Sequence, residues 1–366
     1  MVPSVGLELA ARFHATFAGM SQAYGTYDMS SPTIREQDGK REGRALTKRA
    51  PVTVDLWQRH LSGEMGLGIV PIRDDSTCLF GAIDVDVYDG VDHQGVAVKL
   101  ARMGIPLVVC RSKSGGIHLF AFAAEPIPAL SMQKKLRDVA AVLGYGTSEI
   151  FPKQSKILVE QGDCGQWINA PYHGGVRGMR YAVDVEGNAM SPDVFLQHIE
   201  EIKQLPGWFE APTIPVNDFP DGPPCLQILA NIGYPKGSRN DGLYNIGVFL
   251  RKSDPDDWET KLDVLNHKYL LPPLALPEVL GIVKSLKRKD YTFSCSKNPI
   301  VTHCNATLCR TRKFGVSGGG GKFPSLGGLT KINVAPPLWF WTVDGARIEL
   351  TTQELQDPRR FQQKCM

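Results

Sequence analysis

The chain has 366 residues, 42% of them hydrophobic and 22% charged, with a formal net charge of +3 at pH 7. These values describe an ordinary folded protein long enough for two domains, and the charge is too small to imply a nucleic-acid partner by itself. No segment approaches the ~20 apolar residues that span a bilayer, no secretory signal opens the chain, and eight cysteines are too few for a disulfide scaffold, so a cytosolic protein without a membrane partner is expected.

Taken in order, residues 1 to 22 predict a short amphipathic helix through Leu7, Leu9, Phe13 and Phe17. Tyr24 to Pro51 is polar, basic and glycine-containing, and reads as a loop-rich arm whose Arg35, Lys40, Arg41, Arg44, Lys48 and Arg49 could touch a phosphate backbone or simply be solvated. Thr53 caps a helix that Gly63 ends. A short strand follows between Gly66 and Pro71, and Arg73 to Thr77 turns into an apolar strand carrying Asp84-Val85-Asp86. A helix over Asp92 to Met103 and strands at Ile105 to Cys110 and Ile117 to Phe122 come next. Between those strands lies Arg111-Ser112-Lys113-Ser114-Gly115-Gly116.

Residues 130 to 143 predict another amphipathic helix, ending at Gly144, and Glu149 stands in a short strand stopped by Pro152. Turns and a strand occupy Leu158 to Tyr172, and Ser191 starts a helix through Phe195 and Ile199. Pro206 to Pro224 reads as an interdomain linker. Beyond Cys225 the pattern is helical, over 226–232, 241–252, 258–268 and 277–287, with Lys287-Arg288-Lys289 where cations complement the helix dipole. The glycines from Ser317 to Lys322 form a flexible linker. Strands at 338–343 and 346–350 around Asp344-Gly345, and a helix capped by Thr351, complete the pattern.

Strand side chains alternate faces, so Asp84 and Asp86 share a side, ~7 Å apart at ~3.3 Å per residue, while Ile83, Val85 and Val87 point toward a core. Asp-x-Asp pairs are common on surfaces, but an apolar strand favours paired or metal-bound carboxylates. With Glu149 they suit two Mg²⁺ or Mn²⁺ ions. The loop from Arg111 to Gly116 is either a plain hairpin tip or, beside those acids, a cradle in which Arg111, Ser112, Ser114, Gly115, Gly116 and the following His118 hold a triphosphate. A second constellation is Cys225 with Cys295-x₈-Cys304-x₄-Cys309, either buried apolar cysteines or a metal site. Its spacing is not that of paired zinc knuckles, and His303 is an alternative ligand that would favour zinc. Arg239 or Tyr291 could contact phosphate or stack on a base, or equally Asn240 could cap the next helix and Tyr291 pack in a core. Cys78, Cys110, Cys164 and Cys365 read as structural.

Asp84-x-Asp86, then Ser114-x-x-x-His118, then Glu149 in Glu-Ile-Phe-Pro-Lys-Gln resembles the three motifs of the archaeo-eukaryotic primase superfamily. That string and Trp167-Ile168-Asn169-Ala170-Pro171-Tyr172 look particularly like its phage and mobile-element primase-polymerases. The resemblance covers residues ~50 to ~200. It implies an α+β, RRM-like catalytic core, with Asp84, Asp86 and Glu149 as ligands of two Mg²⁺ or Mn²⁺ ions and His118 on the triphosphate. Lys153, Asn169 and Arg180 are weaker candidates for nucleotide or template contacts. The third acid is Glu rather than the commoner Asp, and the Ser-to-His spacing is longer than Ser-x-His, which leaves open whether Ser112 or Ser114 meets phosphate. The cysteine layout resembles the iron–sulfur domain of eukaryotic-type primase large subunits, implying a [4Fe-4S] cluster or Zn²⁺ on Cys225, Cys295, Cys304 and Cys309.

The expected organisation is a catalytic domain over 1–205 with an arm over 1–50, a linker over 206–224, a helical Cys-rich accessory domain over 225–315, and a glycine linker with a small β-rich module over 316–366. The expected function is template-dependent nucleotidyl transfer: a DNA primase and polymerase taking single-stranded DNA and NTPs or dNTPs. It would act in the cytoplasm of a bacterial host or be phage- or plasmid-encoded, with a replicative helicase as a further partner or as a continuation beyond Met366. The alternatives are a catalytically degenerate single-strand-binding or replication-initiation protein, and a metal-dependent nuclease.

Overall fold

The structure, a computed structural model, describes residues 6–34, 41–86, 91–213, 218–235, 237–288, 292–316, 326–332, 336–343, 346–357 and 360. The elements are α1 (Leu7–Thr16), β1 (Tyr24–Ile34), β2 (Arg41–Lys48), α2 (Val54–Ser62), β3 (Gly68–Ile69), β4 (Thr77–Val85), α3 (His93–Arg102), β5 (Val108–Arg111), β6 (Ile117–Pro128), α4 (Ala129–Leu143), β7 (Glu149–Phe151), β8 (Ile168–Asn169), β9 (Ala182–Val183) and α5 (Pro192–Ile202). They continue with α6 (Pro206–Glu210), α7 (Pro224–Ile232), α8 (Arg239–Ser253), α9 (Trp258–Tyr269), α10 (Leu276–Arg288), α11 (Ala306–Thr311), β10 (Leu326–Ile332), β11 (Leu338–Val343), β12 (Ala346–Thr351) and α12 (Thr352–Gln356).

Two compact units result: Met1–Pro220 with Pro224–Asn305, and Asp221–Pro223 with Ala306–Met366. The first is mixed α+β. Its central sheet has the order β7-β4-β6-β5-β9, with every pairing antiparallel. Period-two alternation gives that sheet two apolar faces. Ile83, Val85, Ile117, Leu119 and Ala121 form one core with Leu100 of α3 and Met132, Leu136 and Val139 of α4. Phe80, Ala82, Phe120, Phe122 and Phe151 form the other with Phe13, Phe17, Trp57, Leu61 and Phe195. In that second core Phe17 meets the edges of Phe80, Phe120 and Phe122 at 5.2, 5.6 and 5.5 Å and stacks on Trp57 at 5.5 Å. Such aromatic pairs add to simple area burial. Val87 lies outside the described residues.

The helix signals hold where they are local. Thr53 accepts from Leu56 N and caps α2. Ser191 accepts from Val194 N at the start of α5, and Thr351 with Glu354 forms a capping box on α12.

The stretch expected as a loop-rich arm is instead a hairpin, β1 with β2, in a second sheet of order β2-β1-β3-β8. Its glycines are the reason it folds where it does. Gly25 and Gly68 are cross-strand partners, and the Trp167 indole lies on both. A Cβ would stand 2.0 Å from the indole at Gly25 and 2.2 Å at Gly68. The Trp167 indole N–H donates to Thr47 Oγ1 at 3.2 Å. Arg35 and Lys40 lie outside the described residues.

The expected linker over 206–224 begins with α6, whose Phe209 is buried in the core shared with α4. Lys135 of α4 stacks its ammonium on Trp208 at 4.1 Å and donates to Ala211 O. The following helices belong to the same unit, with Ile228 of α7 in that core as well. The 301–305 segment is tied to α4 by the His303 ring bonded to Ala141 O at 2.7 Å and Asn305 donating to Asp138 at 2.6 Å. The second unit contains α11 and an antiparallel sheet β10-β11-β12 carrying α12. The glycine linker and the turn Asp344-Gly345 fall outside the described residues. No helix among the described residues is long and apolar enough to cross a membrane.

A methyl group at position 68 would meet both the indole and the Gly25 backbone, the latter at 3.0 Å. Gly68→Ala should lower the unfolding free energy by about 1–3 kcal/mol, the usual cost of overpacking. Urea unfolding followed by tryptophan fluorescence measures it, and an unchanged midpoint would contradict this packing.

Candidate active site

The site is a row of residues crossing the central sheet. Asp84 of β4 stands directly opposite Glu149 of β7 on one side and His118 of β6 on the other. His118 in turn faces Cys110 of β5, which faces Ala182 of β9. Directly opposed residues share a sheet face with Cβ atoms ~5 Å apart, so the acids and the imidazole line up on the face that holds the aromatic core. The preceding row is Phe151, Ala82, Phe120 and Val108, all buried. The change from aromatic to ionisable side chains marks where that core ends.

His118 Nε2 lies 3.4 Å from Asp84 Oδ1, with the two side chains 6% and 21% exposed. That is ion-pair distance, longer than a good hydrogen bond. The His118 ring packs edge-on against Phe120 at 5.9 Å. Glu149 is paired with Lys153 Nζ at 2.7 Å. Asp86 is exposed, one residue past the end of β4.

The loop between β5 and β6 is a tight turn: Ser112 N donates to Gly116 O and Gly115 N to Ser112 O, with Gly115 at φ 95. That φ belongs to the left-handed region glycine fills without penalty. The hydroxyls of Ser112 and Ser114 stand 3.4 Å apart, so either serine offers an oxygen at the same place. Ser112 is buried and Ser114 exposed. His93 of α3 holds the far side of the loop through Gly116 O at 3.2 Å. Lys113 places its ammonium 3.8 Å above the Tyr27 ring. The Tyr27 hydroxyl donates to Asn169 Oδ1 at 2.9 Å. The hairpin that sequence reasoning treated as a loose arm is thus a wall of the site.

Three further groups complete the surroundings. Arg180 is buried in the segment that leads into β9, and Arg111 N bonds the next residue's carbonyl, Tyr181 O. His173 is half-buried, its ring 5.3 Å from that of His60. His60 is fully buried; its Nδ1 accepts from Leu67 N at 3.0 Å and its Nε2 donates to Pro171 O at 2.8 Å. Burial, with repulsion from His173 and Arg180, lowers the His60 pKa to about 3, and burial with Arg180 and Lys113 lowers that of His173 to about 4. Tyr27, His60 and His173 were not legible as site residues, because a lone tyrosine or histidine in a sequence window carries no signal of what it meets.

Divalent cations are the group this kind of site implies. Asp84, Asp86 and Glu149 provide hard oxygen donors on adjacent strands and at a strand end, the chemistry that Mg²⁺ and Mn²⁺ prefer. Yet among the described residues no three His, Cys, Asp or Glu side chains converge as a ready ligand set. For the carboxylates the reason is visible: Glu149 is turned onto Lys153. The donor types fit, and the Glu149 carboxylate is 58% exposed.

The same observation extends to the expected cysteine ligands. Cys225, Cys295 and Cys304 belong to the first unit and Cys309 to the second, and among the described residues no group of three or more His, Cys, Asp or Glu is placed as a ready metal site. Cys225 is buried in α7. Cys295 follows Ser294, which is bonded to Asn245 of α8, and burial pushes its thiol up. Cys304 lies against the backbone at Gly146, and Cys309 belongs to α11 in the second unit. His303, the alternative ligand, is committed to Ala141 O. Arg239 bonds the Pro272 carbonyl; Tyr291 lies outside the described residues.

A sheet flanked by two cores, with acid, acid and histidine on three neighbouring strands, defines the architecture of the archaeo-eukaryotic primases. A family model described as "TOTE conflict system, Archaeo-Eukaryotic Primase domain" matches residues 19–206, just over half of the chain. The chain belongs to that family. Among solved structures it is similar to the AEP domain of the cyanophage S-2L primase-polymerase, at 14% identity and a TM-score of 0.31, over 54% of this chain and 100% of that one. It is also similar to the primase RepB', at 12% identity and a TM-score of 0.30, over 83% of this chain and 92% of that one. No curated protein matches it.

The two depressed histidines make the fold acid-sensitive. Unfolded histidine protonates near pH 6.5, whereas His60 and His173 do so only near 3 and 4 in the folded chain. Between those values the unfolded state binds more protons, so stability is complete above pH 6.5 and falls as the pH drops, by up to about 1.4 kcal/mol per pH unit for each residue. Urea unfolding across pH 4.5–7.5 should show this slope. His60→Gln, which keeps a donor for Pro171 O, should flatten it, and an unchanged slope would contradict the assignment.

Proposed function

We propose that the protein is a template-dependent nucleotidyltransferase, a DNA primase-polymerase that makes and extends primers on single-stranded DNA from NTPs or dNTPs. The observation that carries this reading is the Glu149–Asp84–His118 row beside the Ser112–Gly116 turn, together with membership of a primase-domain family. Asp84, Asp86 and Glu149 would hold two divalent cations. When bound, such ions supply activation of the attacking 3′-hydroxyl and neutralisation of the departing pyrophosphate.

The chain's own residues do the positioning. His118, fixed by Phe120 beneath it and Asp84 beside it, presents its ring to a phosphate oxygen. Ser112, Ser114 and the backbone of Gly115 and Gly116 line the same turn, and Arg111 and Lys113 add positive charge. Lys153, paired with Glu149 in the unliganded chain, would offer its ammonium to the substrate's phosphates once the cations take that carboxylate. Asn169, holding Tyr27, and Arg180 bound the opposite side. Catalysis of this kind is orientation and fixed charge rather than covalent chemistry.

The test is primer synthesis on single-stranded DNA with NTPs or dNTPs and Mg²⁺ or Mn²⁺, run beside an Asp84→Ala/Asp86→Ala double variant. Product should fall by about 10²–10³-fold or more in the variant, with its thermal unfolding retained. A wild-type protein that binds DNA and makes no product, de novo or from a supplied primer, would overturn the enzymatic reading in favour of a binding module. Cleavage of labelled DNA without nucleotides would point to a nuclease.

A further inference from the structure

Beside the Ser112–Gly116 turn lies a buried cation for which no carboxylate among the described residues acts as counter-charge. Arg180 is 8% exposed, and its Nη1 has no hydrogen-bond partner. Apart from burial, the group that acts on its ionisation is Tyr27, not a carboxylate. Buried guanidinium groups are normally paired and fully hydrogen-bonded, because desolvation otherwise goes uncompensated.

Nearby groups increase the excess rather than relieve it. His173 is half-buried, and the charged groups acting on it are Arg180 and Lys113, both positive. His60 of α2 closes the remaining side with its ring 5.3 Å away. Both His60 nitrogens are occupied by backbone groups, so it contributes a neutral wall. Thus α2, the loop after β5 and the segment 172–180 place His60, Lys113 and Arg180 around His173, and none of the three is acidic. An anion seated there would meet the unpartnered Arg180 guanidinium nitrogen in a charge-assisted hydrogen bond.

We propose that Arg180, Lys113 and His173 together receive the anionic chain of a nucleoside triphosphate, and that His173 takes up a proton as the anion binds and becomes its third cationic contact. This rests on the reading of a nucleoside triphosphate as substrate, and adds a residue that neither the motifs nor the family match singles out. The proton follows from electrostatics. In the ligand-free protein, burial first and then the two neighbouring cations keep His173 neutral down to about pH 4. A polyanion seated between them offsets the repulsion and shifts the imidazole back toward its ordinary value of about 6.5. Binding between those limits therefore consumes protons and strengthens as the pH falls, by at most about tenfold per pH unit.

The experiment is titration calorimetry with inorganic triphosphate, without divalent cations, at pH 5.5 and 7.5 in buffers of different ionisation enthalpy. The ligand's own protonation is common to all variants, so the comparison of wild type with His173→Gln and His173→Asn isolates the histidine. Wild type should take up more protons than either variant at pH 5.5, by up to about one, and lose that difference at pH 7.5. Arg180→Gln should weaken binding by about 10-fold or more, as expected for a lost charge-assisted contact, and Arg180→Lys by less. Failure of wild type to bind triphosphate, or an unchanged affinity in Arg180→Gln, would overturn the anion site. Equal proton uptake in wild type and both His173 variants would overturn the role of His173. If triphosphate binds with this signature and primer synthesis is absent, the nucleotidyl-transfer reading fails and the anion site stands.

Discussion

The constraint on which the structure depends is the two-residue period of β4. Ile83 and Val85 enter the core beneath α3 and α4, while Phe80 and Ala82 enter the aromatic core beneath α1 and α2. Asp84 shares the second face and comes immediately after those apolar positions. A carboxylate there has packed aromatic side chains on one side and an opening on the other. A one-residue slip of this strand would bury both acids against α4 and bring Ile83 and Val85 into the site. The two cores fix the register, and the register fixes the chemistry.

Around that strand the charges are separated. Glu149, Asp84 and Asp86 stand on or beside β7 and β4, whereas Arg111, Lys113, Arg180 and His173 gather at the loop after β5 and the segment that feeds β9. His118 of β6 stands between the two groups and touches the acidic one. The separation is a property of strand order, since β6 lies between β4 and β5 in the sheet although it follows both in sequence.

Much of this was legible in the sequence because its signals are local. Alternation in Phe80–Val85, the caps Thr53 and Ser191, and the turn residues between Arg111 and Gly116 each act within a few residues. The hairpin β1–β2 escaped because its partner is distant: Gly25 reads as a loop residue until Trp167 is laid on it. Arg180 stood among the candidates without a partner to explain it, and His173 did not stand out at all. Both depend on a segment that folds back so that Tyr172 N bonds Arg180 O. The cysteines are a different case. Their clustering in sequence suggested ligands, whereas the structure puts them on separate elements, and among the described residues no three such side chains are gathered.

The ring of Tyr27 touches three things at once: the edge of Trp167, the amide of Asn169 and the ammonium of Lys113. A cation over an exposed aromatic face is held by about 0.5–1 kcal/mol, less than the roughly 1.5–3 kcal/mol of a hydrogen bond to a charged partner. Tyr27 is therefore a resting place rather than a lock. Lys113 is exposed, so the ring holds an ammonium that water also reaches. In this way the hairpin β1–β2 brings an aromatic ring against the loop that follows β5.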